Sequence, residues 1–298
     1  MPPLPALVGS WSPDVVSALL IVLAGAGYLR CYRRGRQVLR PLHAWSFGAG
    51  LTSLALATLS AVAVYSTVLF WMKALQVLLL LFVAPFLLAM GRPVATVRAA
   101  LGESGASRLD AVLASRPALV SSSPIVTSAL MLATPWLLYS TPWYVASMVN
   151  GPVAELTRIL LPVIGFGYFY ARLQSDPVPR RYSPYVSIGI SVVETLGDGL
   201  LGVVLWLGPV IALSYYTGLH RTWGPSIRTD QSIGAGILWV LGDVVGLPFL
   251  MVLMRALGVH ERKVAVQVDE ITDFETDSET GGMWWEADPQ LRERFGPR

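Results

Sequence analysis

Cysteine is nearly absent from this chain: Cys31 is the single one in 298 residues. No internal disulfide can form, and no metal site built on paired cysteines exists. Histidine is almost as scarce, with His43, His220 and His260 only. Charge is scarce too. Asp, Glu, Lys and Arg make up 14% of residues, against about a quarter in a soluble domain. That excludes an ordinary soluble fold. The net charge of +3 is spread through loops and gives no nucleic-acid signal. Lys and Arg are missing between Met1 and Pro13, so the start lacks the charged region of a signal peptide, and the first apolar run reads as a retained signal-anchor. Also missing are a nucleophile–base motif, a phosphate-cradling loop and a Cys-x-x-Cys-His haem attachment, so catalysis is not expected. Ser121-Ser122-Ser123 reads as a cap or turn.

What is present is apolar sequence. Hydrophobic residues make up 54% of the chain, and mean hydropathy is +0.56. Several runs reach the roughly 20 residues that cross a bilayer as helix. Short alternating segments of a membrane β-barrel are not seen. The fold class is therefore all-α, a polytopic membrane protein with the lipid bilayer as its first partner. Seven runs are expected as transmembrane helices: Val15–Leu29, Leu42–Tyr65, Val68–Met90, Pro124–Met148, Val153–Tyr170, Ser187–Tyr215 and Ser232–Leu257. Arginine follows the odd-numbered runs: Arg30, Arg33, Arg34, Arg36 and Arg40; then Arg92, Arg98, Arg108 and Arg116; then Arg172, Arg180 and Arg181. The alternate loops hold only Arg221 and Arg228. Lys and Arg favour the cytoplasmic side, so the N-terminus is expected outside and the C-terminus inside.

Three regions follow: a short extracytoplasmic start at 1–13, a seven-helix domain at 14–257, and a tail at 258–298. The tail has ten acids against five bases and too little apolar surface to fold alone. Its Trp284-Trp285 pair reads either as a docking tag or as part of a solubilising tail. The cytoplasmic loop Arg92–Ser122 either holds a short amphipathic helix near Arg108–Leu113 on the membrane surface or is a solvated connector. Asp176-Pro177-Val178-Pro179-Arg180-Arg181 reads as a basic turn facing the membrane.

Ionisable residues inside spanning helices are functional candidates by default. Lys73 and Gln76 share a face of run three, and Glu155 and Arg158 share one on run five. Glu194 and Asp198 stack on run six, and Asp243 lies on run seven. Lys73 is expected to pair with Asp198 or Glu194. Either this cluster is a ligand site or it is an ion-pair network that fixes helix register. A second candidate is the loop Tyr215-Tyr216-Thr217-Gly218-Leu219-His220-Arg221-Thr222-Trp223, which leads to Asp230-Gln231. Asp230 is expected to cap the following helix by accepting from its unpaired first-turn amides.

That loop, with Gly234-Ala235-Gly236-Ile237-Leu238-Trp239 and Gly242-Asp243 after it, resembles the last loop and helix of the CtaG-type cytochrome c oxidase assembly proteins. Ala84-Pro85-Phe86-Leu87-Leu88-Ala89-Met90-Gly91-Arg92-Pro93 resembles the family's Ala-Pro…Gly-x-Pro helix end. Trp284-Trp285-Glu286-Ala287-Asp288-Pro289 and Arg294-Phe295 are similar to the tails of actinobacterial members. The resemblance implies copper delivery to the oxidase, with copper as the possible metal and an oxidase subunit as the possible partner. It also implies histidines in the helices. Two of those positions fall on Lys73 and Val77, with Gln76 keeping the family's glutamine. Another falls on Asp198, and Ser140 and Leu156 stand near the remaining two. Met72, Met90, Met131, Met148, Met251 and Met254 are scattered and do not replace them. The expectation is a bacterial plasma-membrane assembly or accessory factor of haem–copper oxidase, with its metal ligands unknown. The alternative is a proton or cation transporter that uses Glu194, Asp198 and Asp243.

Overall fold

Every element among the described residues is helical in this computed structural model. The structure describes residues 9–35, 40–174, 176 and 184–241, with a few isolated positions from 251 to 265. Asp243, the seventh expected helix beyond residue 241, the Arg180-Arg181 turn and Trp284-Trp285 lie outside the described residues. The chain separates into two units, Met1–Met251 and Val252–Arg298, and all helices below belong to the first.

The elements are α1 (Val15–Arg34), α2 (Pro41–Leu59), α3 (Ala61–Tyr65), α4 (Phe70–Leu78), α5 (Ala84–Met90), α6 (Pro93–Ala100), α7 (Glu103–Leu113), α8 (Arg116–Ser121), α9 (Pro124–Ser140), α10 (Trp143–Val149), α11 (Gly151–Leu173), α12 (Pro184–Leu207), α13 (Leu213–Gly218) and α14 (Ile227–Gly236). Wide π turns at Leu79–Val83 and Ile237–Leu241 continue α4 and α14. Among the described residues, five stretches are long and apolar enough to cross a membrane: Val15–Arg34, Pro41–Tyr65, Phe70–Ala100, Gly151–Leu173 and Gly189–Leu207. α9 is apolar but shorter.

Several expected runs divide or shift, and proline accounts for two of the breaks. The run Pro124–Met148 stops at Ser140 because Thr141 precedes Pro142, and a residue before proline is driven out of the helical region. Thr141 is extended at φ −122° and ψ 169°. The run Ser187–Tyr215 starts earlier, at Pro184, and ends at Leu207, just before Gly208-Pro209. α14 starts earlier than the apolar run beginning at Ser232, because Ser226 Oγ caps it by accepting from the Thr229 amide. Its first turn is polar, so hydropathy alone misses it.

The rod formed by α4, its π turn and α5 is the most enclosed span, and α2, α11 and α14 pack around it. Leu69, Phe70, Val77, Leu80, Leu81, Leu138 and Leu161 form its dry centre. Pro85 has no N–H to offer the Leu81 carbonyl four residues back, and its ring would crowd that oxygen in a regular helix. The π turn falls at this place and relieves the crowding. Gly165 of α11 fits against the same carbonyl. A Cβ there would stand 2.0 Å from Leu81 O and 2.7 Å from Pro85 Cγ. Backbone cannot retreat as a flexible side chain can. Gly165→Ala should therefore lose about 3 kcal/mol or more of stability, read as a lower thermal midpoint in detergent.

The arginine-rich end is fastened at the Gly91-Arg92-Pro93 corner, where Arg92 adopts a left-handed φ of 51°. Tyr28 Oη donates to the Gly91 carbonyl at 2.8 Å, and His43 Nδ1 lies 3.2 Å from the Met90 carbonyl. Asp176 accepts from the amides of Val94 at 2.9 Å and Ala95 at 2.7 Å, capping α6 from a distant loop. Burial pushes the Asp176 carboxyl up, and those two amides and Arg92 hold it back in part.

Candidate functional site

Two polar assemblies stand out, one in the aromatic loop and one within the helices. In the loop, Asp230 sits in the first turn of α14 and is almost wholly buried. The sequence led to the expectation that Asp230 caps its own helix, but Ser226 does so. Instead Asp230 Oδ1 accepts from the Trp71 amide at 3.0 Å, at the start of α4. Its other oxygen takes Arg221 Nη1 at 3.1 Å, and Arg221 Nη2 donates to the Pro225 carbonyl at 2.7 Å. One carboxylate thus joins the first turn of the central rod to the loop. Gln231 joins the rest: its Nε2 donates to the carbonyls of Leu205 and Pro209, and its Oε1 accepts from the Ile211 amide. That closes the end of α12 where proline had broken it. Arg228 adds donors to the carbonyls of Trp206 and Gly208.

The aromatic residues complete this cap. Tyr215 Oη donates to the Thr67 carbonyl at 2.7 Å, and Tyr216 Oη meets Tyr144 Oη at 2.7 Å. Burial pushes both loop phenols up, so they remain neutral hydrogen-bonding groups. Arg221 lies 5.7 Å from the Trp223 ring centre, and Trp223 meets Tyr65 edge-on at 6.0 Å. His220 is exposed with a left-handed φ of 46°. It borders a hollow of about 320 Å3 with Tyr216, Arg221, Trp223 and Ser226.

Within the helices, Lys73 does not meet Asp198 or Glu194. Lys73 Nζ donates to Gln76 Oε1 at 3.2 Å, and Gln76 Nε2 donates to the Ala57 carbonyl at 2.9 Å. Glu194 is held by Arg172, whose Nη1 lies 3.1 Å away, and by Tyr168 Oη at 2.7 Å. Arg172 also donates to Ser128 Oγ and Ser191 Oγ. The sequence places Arg172 among loop arginines. The structure puts it in the last turn of α11 with a fully buried side chain. Asp198 lies one turn beyond Glu194 and is half-buried. Arg158 Nη1 reaches Glu155 at 2.7 Å and also Asp14 at 3.0 Å.

Asp14 precedes an apolar run, and that spacing is the sequence signal of a helix cap. It caps α1 by accepting from the Ser17 amide at 2.9 Å. Burial raises its carboxyl pKa, but the Ser17 bonds and the Arg158 charge outweigh this and leave it below the usual value of 3.8. A carboxyl lowered by folding stabilises the protein above its unfolded pKa. That contribution is lost as pH falls through the folded value. Wild-type protein should therefore lose thermal stability faster than Asp14→Asn as pH drops below 3.8.

The arrangement fits a protein whose polar groups tie helices together. It fits copper poorly. Among the described residues no three His, Cys, Asp or Glu side chains come together. At the position where a ligand is implied, Lys73 is a buried donor already turned to Gln76. An ammonium has no lone pair for a metal.

The profile of the cytochrome c oxidase caa3 assembly factor family, Caa3_CtaG, matches residues 25–257. The chain belongs to this family. The match takes in the central rod, the Asp230 cap and, except for Asp14, both polar assemblies of this Caa3_CtaG protein. The family is described as one of cytochrome c oxidase assembly factors, and the apolar spans agree with a membrane protein. An uncharacterized protein of Mycobacterium leprae is 24% identical over 277 residues, covering 88% of this chain and 42% of its own length. Uncharacterized proteins of Mycobacterium bovis and Mycobacterium tuberculosis are each 26% identical over 120 residues, covering 40% of this chain and 18% of their own. The chain thus spans less than half the length of these curated relatives. No solved structure gives a significant match.

Proposed function

We propose that this Caa3_CtaG protein is a non-catalytic, multi-pass plasma-membrane factor that holds a subunit of haem–copper cytochrome c oxidase during assembly. The family match across residues 25–257 is the observation that carries the proposal. The arrangement consists of seven spans, with the N-terminus outside and a cytoplasmic tail. The alternating arginine loops support that orientation, which puts the aromatic loop on the outer face. In this reading Tyr215, His220 and Trp223 face the subunit, while Asp230 and Gln231 fix the loop that presents them. Lys73, Gln76, Glu155, Arg158, Glu194 and Asp198 set helix register. Copper would be cargo, and the donor set around Lys73 supports holding a protein over holding the metal. A proton or cation path along Glu194, Asp198 and Asp243 has less support, because Glu194 is closed by Arg172 and Tyr168.

Deletion of the gene tests this reading. Assembled oxidase and its haem absorbance should fall, and the wild-type gene should restore both. Unchanged oxidase in the deletion strain defeats the proposal. Copper content of the purified, copper-loaded protein separates the two roles. Little copper is expected in wild type, Lys73→Ala or Asp198→Ala. Stoichiometric copper that disappears in Asp198→Ala would return delivery to this chain.

A further inference from the structure

The segment between Met90 and Pro124 connects α5 to α9. It folds as α6, α7 and α8. α6 is fastened: Asp176 caps it, and Gly35 at the end of α1 fits so closely that a Cβ would lie 2.8 Å from Ala99 Cβ. α7 and α8 are different, for neither contains a buried residue. An isolated helix of this length is marginal in water, because nucleation is costly and few bonds offset it. The 11 residues of α7 therefore need a supporting surface.

Their side chains indicate which surface. Arg108 and Val112 stand one turn apart on α7, Arg116 and Val120 stand one turn apart on α8, and all four are exposed. Val112 and Val120 are each 63% exposed, and Val97 of α6 and Leu101 just after it are open as well. Basic charge surrounds them. Arg30, Arg33 and Arg34 are exposed in the last turns of α1, which ends at Gly35 against Ala99. The acids in the segment are Glu103 and Asp110, and Asp110 is taken by Arg98 at 2.9 Å. Guanidinium groups interleaved with aliphatic side chains suit a membrane interface: the cations meet phosphate while the valines enter the acyl boundary.

We propose that α7 and α8 form an interfacial strap that lies on the bilayer and binds anionic phospholipid headgroups through Arg108 and Arg116. The strap connects two spans, so lipid charge sets how firmly that end of the bundle is held. The attraction is electrostatic and weakens with salt.

The test uses the full chain in a Cys31→Ser background. Val112→Cys or Val120→Cys is labelled with an environment-sensitive fluorophore. The protein is placed in nanodiscs of phosphatidylcholine alone or mixed with phosphatidylglycerol. With phosphatidylglycerol, emission should shift to the blue and be quenched by a bilayer-resident quencher. High salt, or Arg108→Gln with Arg116→Gln, should abolish the shift. Both arginines are exposed, so unchanged thermal melting will show that these variants still fold. Water-like emission in both lipids would overturn the proposal. So would a blue shift that is indifferent to phosphatidylglycerol and to the two arginines, for that would be an apolar contact without headgroup binding. A shift that needs an added soluble protein instead of the lipid would also overturn it. None of these outcomes depends on oxidase assembly.

Discussion

Arg172→Leu should destabilise the protein by about 3–5 kcal/mol, among the largest losses available to a single substitution here. The reason is burial. Arg172 has a fully buried side chain, and its guanidinium serves Glu194, Ser128 and Ser191 together. Removal leaves the Glu194 carboxylate in the helical interior beside the Tyr168 hydroxyl, without the guanidinium that neutralises it. A lone buried charge is costly, whereas two well-packed apolar residues are not. The double variant Arg172→Met with Glu194→Leu should therefore recover most of what Arg172→Leu loses. Thermal unfolding in detergent or nanodiscs checks both. If the double variant is as unstable as the single one, the pair gives more than mutual neutralisation, and the two serines become the next residues to test. Oxidase assembly should follow stability in this series, because the pair lies away from the aromatic loop.

The second large effect is expected at Asp230. Asp230→Ala removes the acceptor of the Trp71 amide and leaves the nearly buried Arg221 guanidinium without its carboxylate. Loss of the cap costs about 1 kcal/mol and exposure of the broken ion pair about 3 kcal/mol or more. Asp230→Asn keeps an oxygen for the amide and should recover only part of that loss. The substitution should also loosen the loop, since Arg221 ties Pro225 and lies beside Trp223. A double-mutant cycle between Asp230 and Arg221 should give a coupling of about 1.5–3 kcal/mol. Additive effects would mean that the carboxylate acts through Trp71 alone. Under the proposed function, Asp230→Ala should reduce oxidase assembly more than its stability loss alone requires. Arg172→Leu brought to equal stability by lower temperature is the comparison.

Much of this protein was legible in one dimension. Low charge and long apolar runs determined an all-helical membrane chain, because backbone groups in lipid must bond within their own segment. The three-residue spacing of Glu155 and Arg158 put them on one face, and they meet. Helical periodicity carries such local pairs directly. The stretches that resemble the family also carried the family. Where a run would break was partly readable too, since Thr141-Pro142 and Gly208-Pro209 are chemical stops.

Only the tertiary structure decided the partners. Nothing in sequence spacing could bring Trp71 to Asp230, or Asp14 to Arg158, across more than a hundred residues. Lys73 turned to Gln76, its neighbour on the same face, and not to Asp198 or Glu194, and Glu194 took an arginine that hydropathy assigns to a loop. The physical reason is the same throughout. Periodicity fixes which face of a helix a residue occupies, while the identity of its buried partner depends on which helices cross at that depth. An arginine at a helix end has a side chain long enough to turn inward, and the net gain from pairing a buried carboxylate settles where it points.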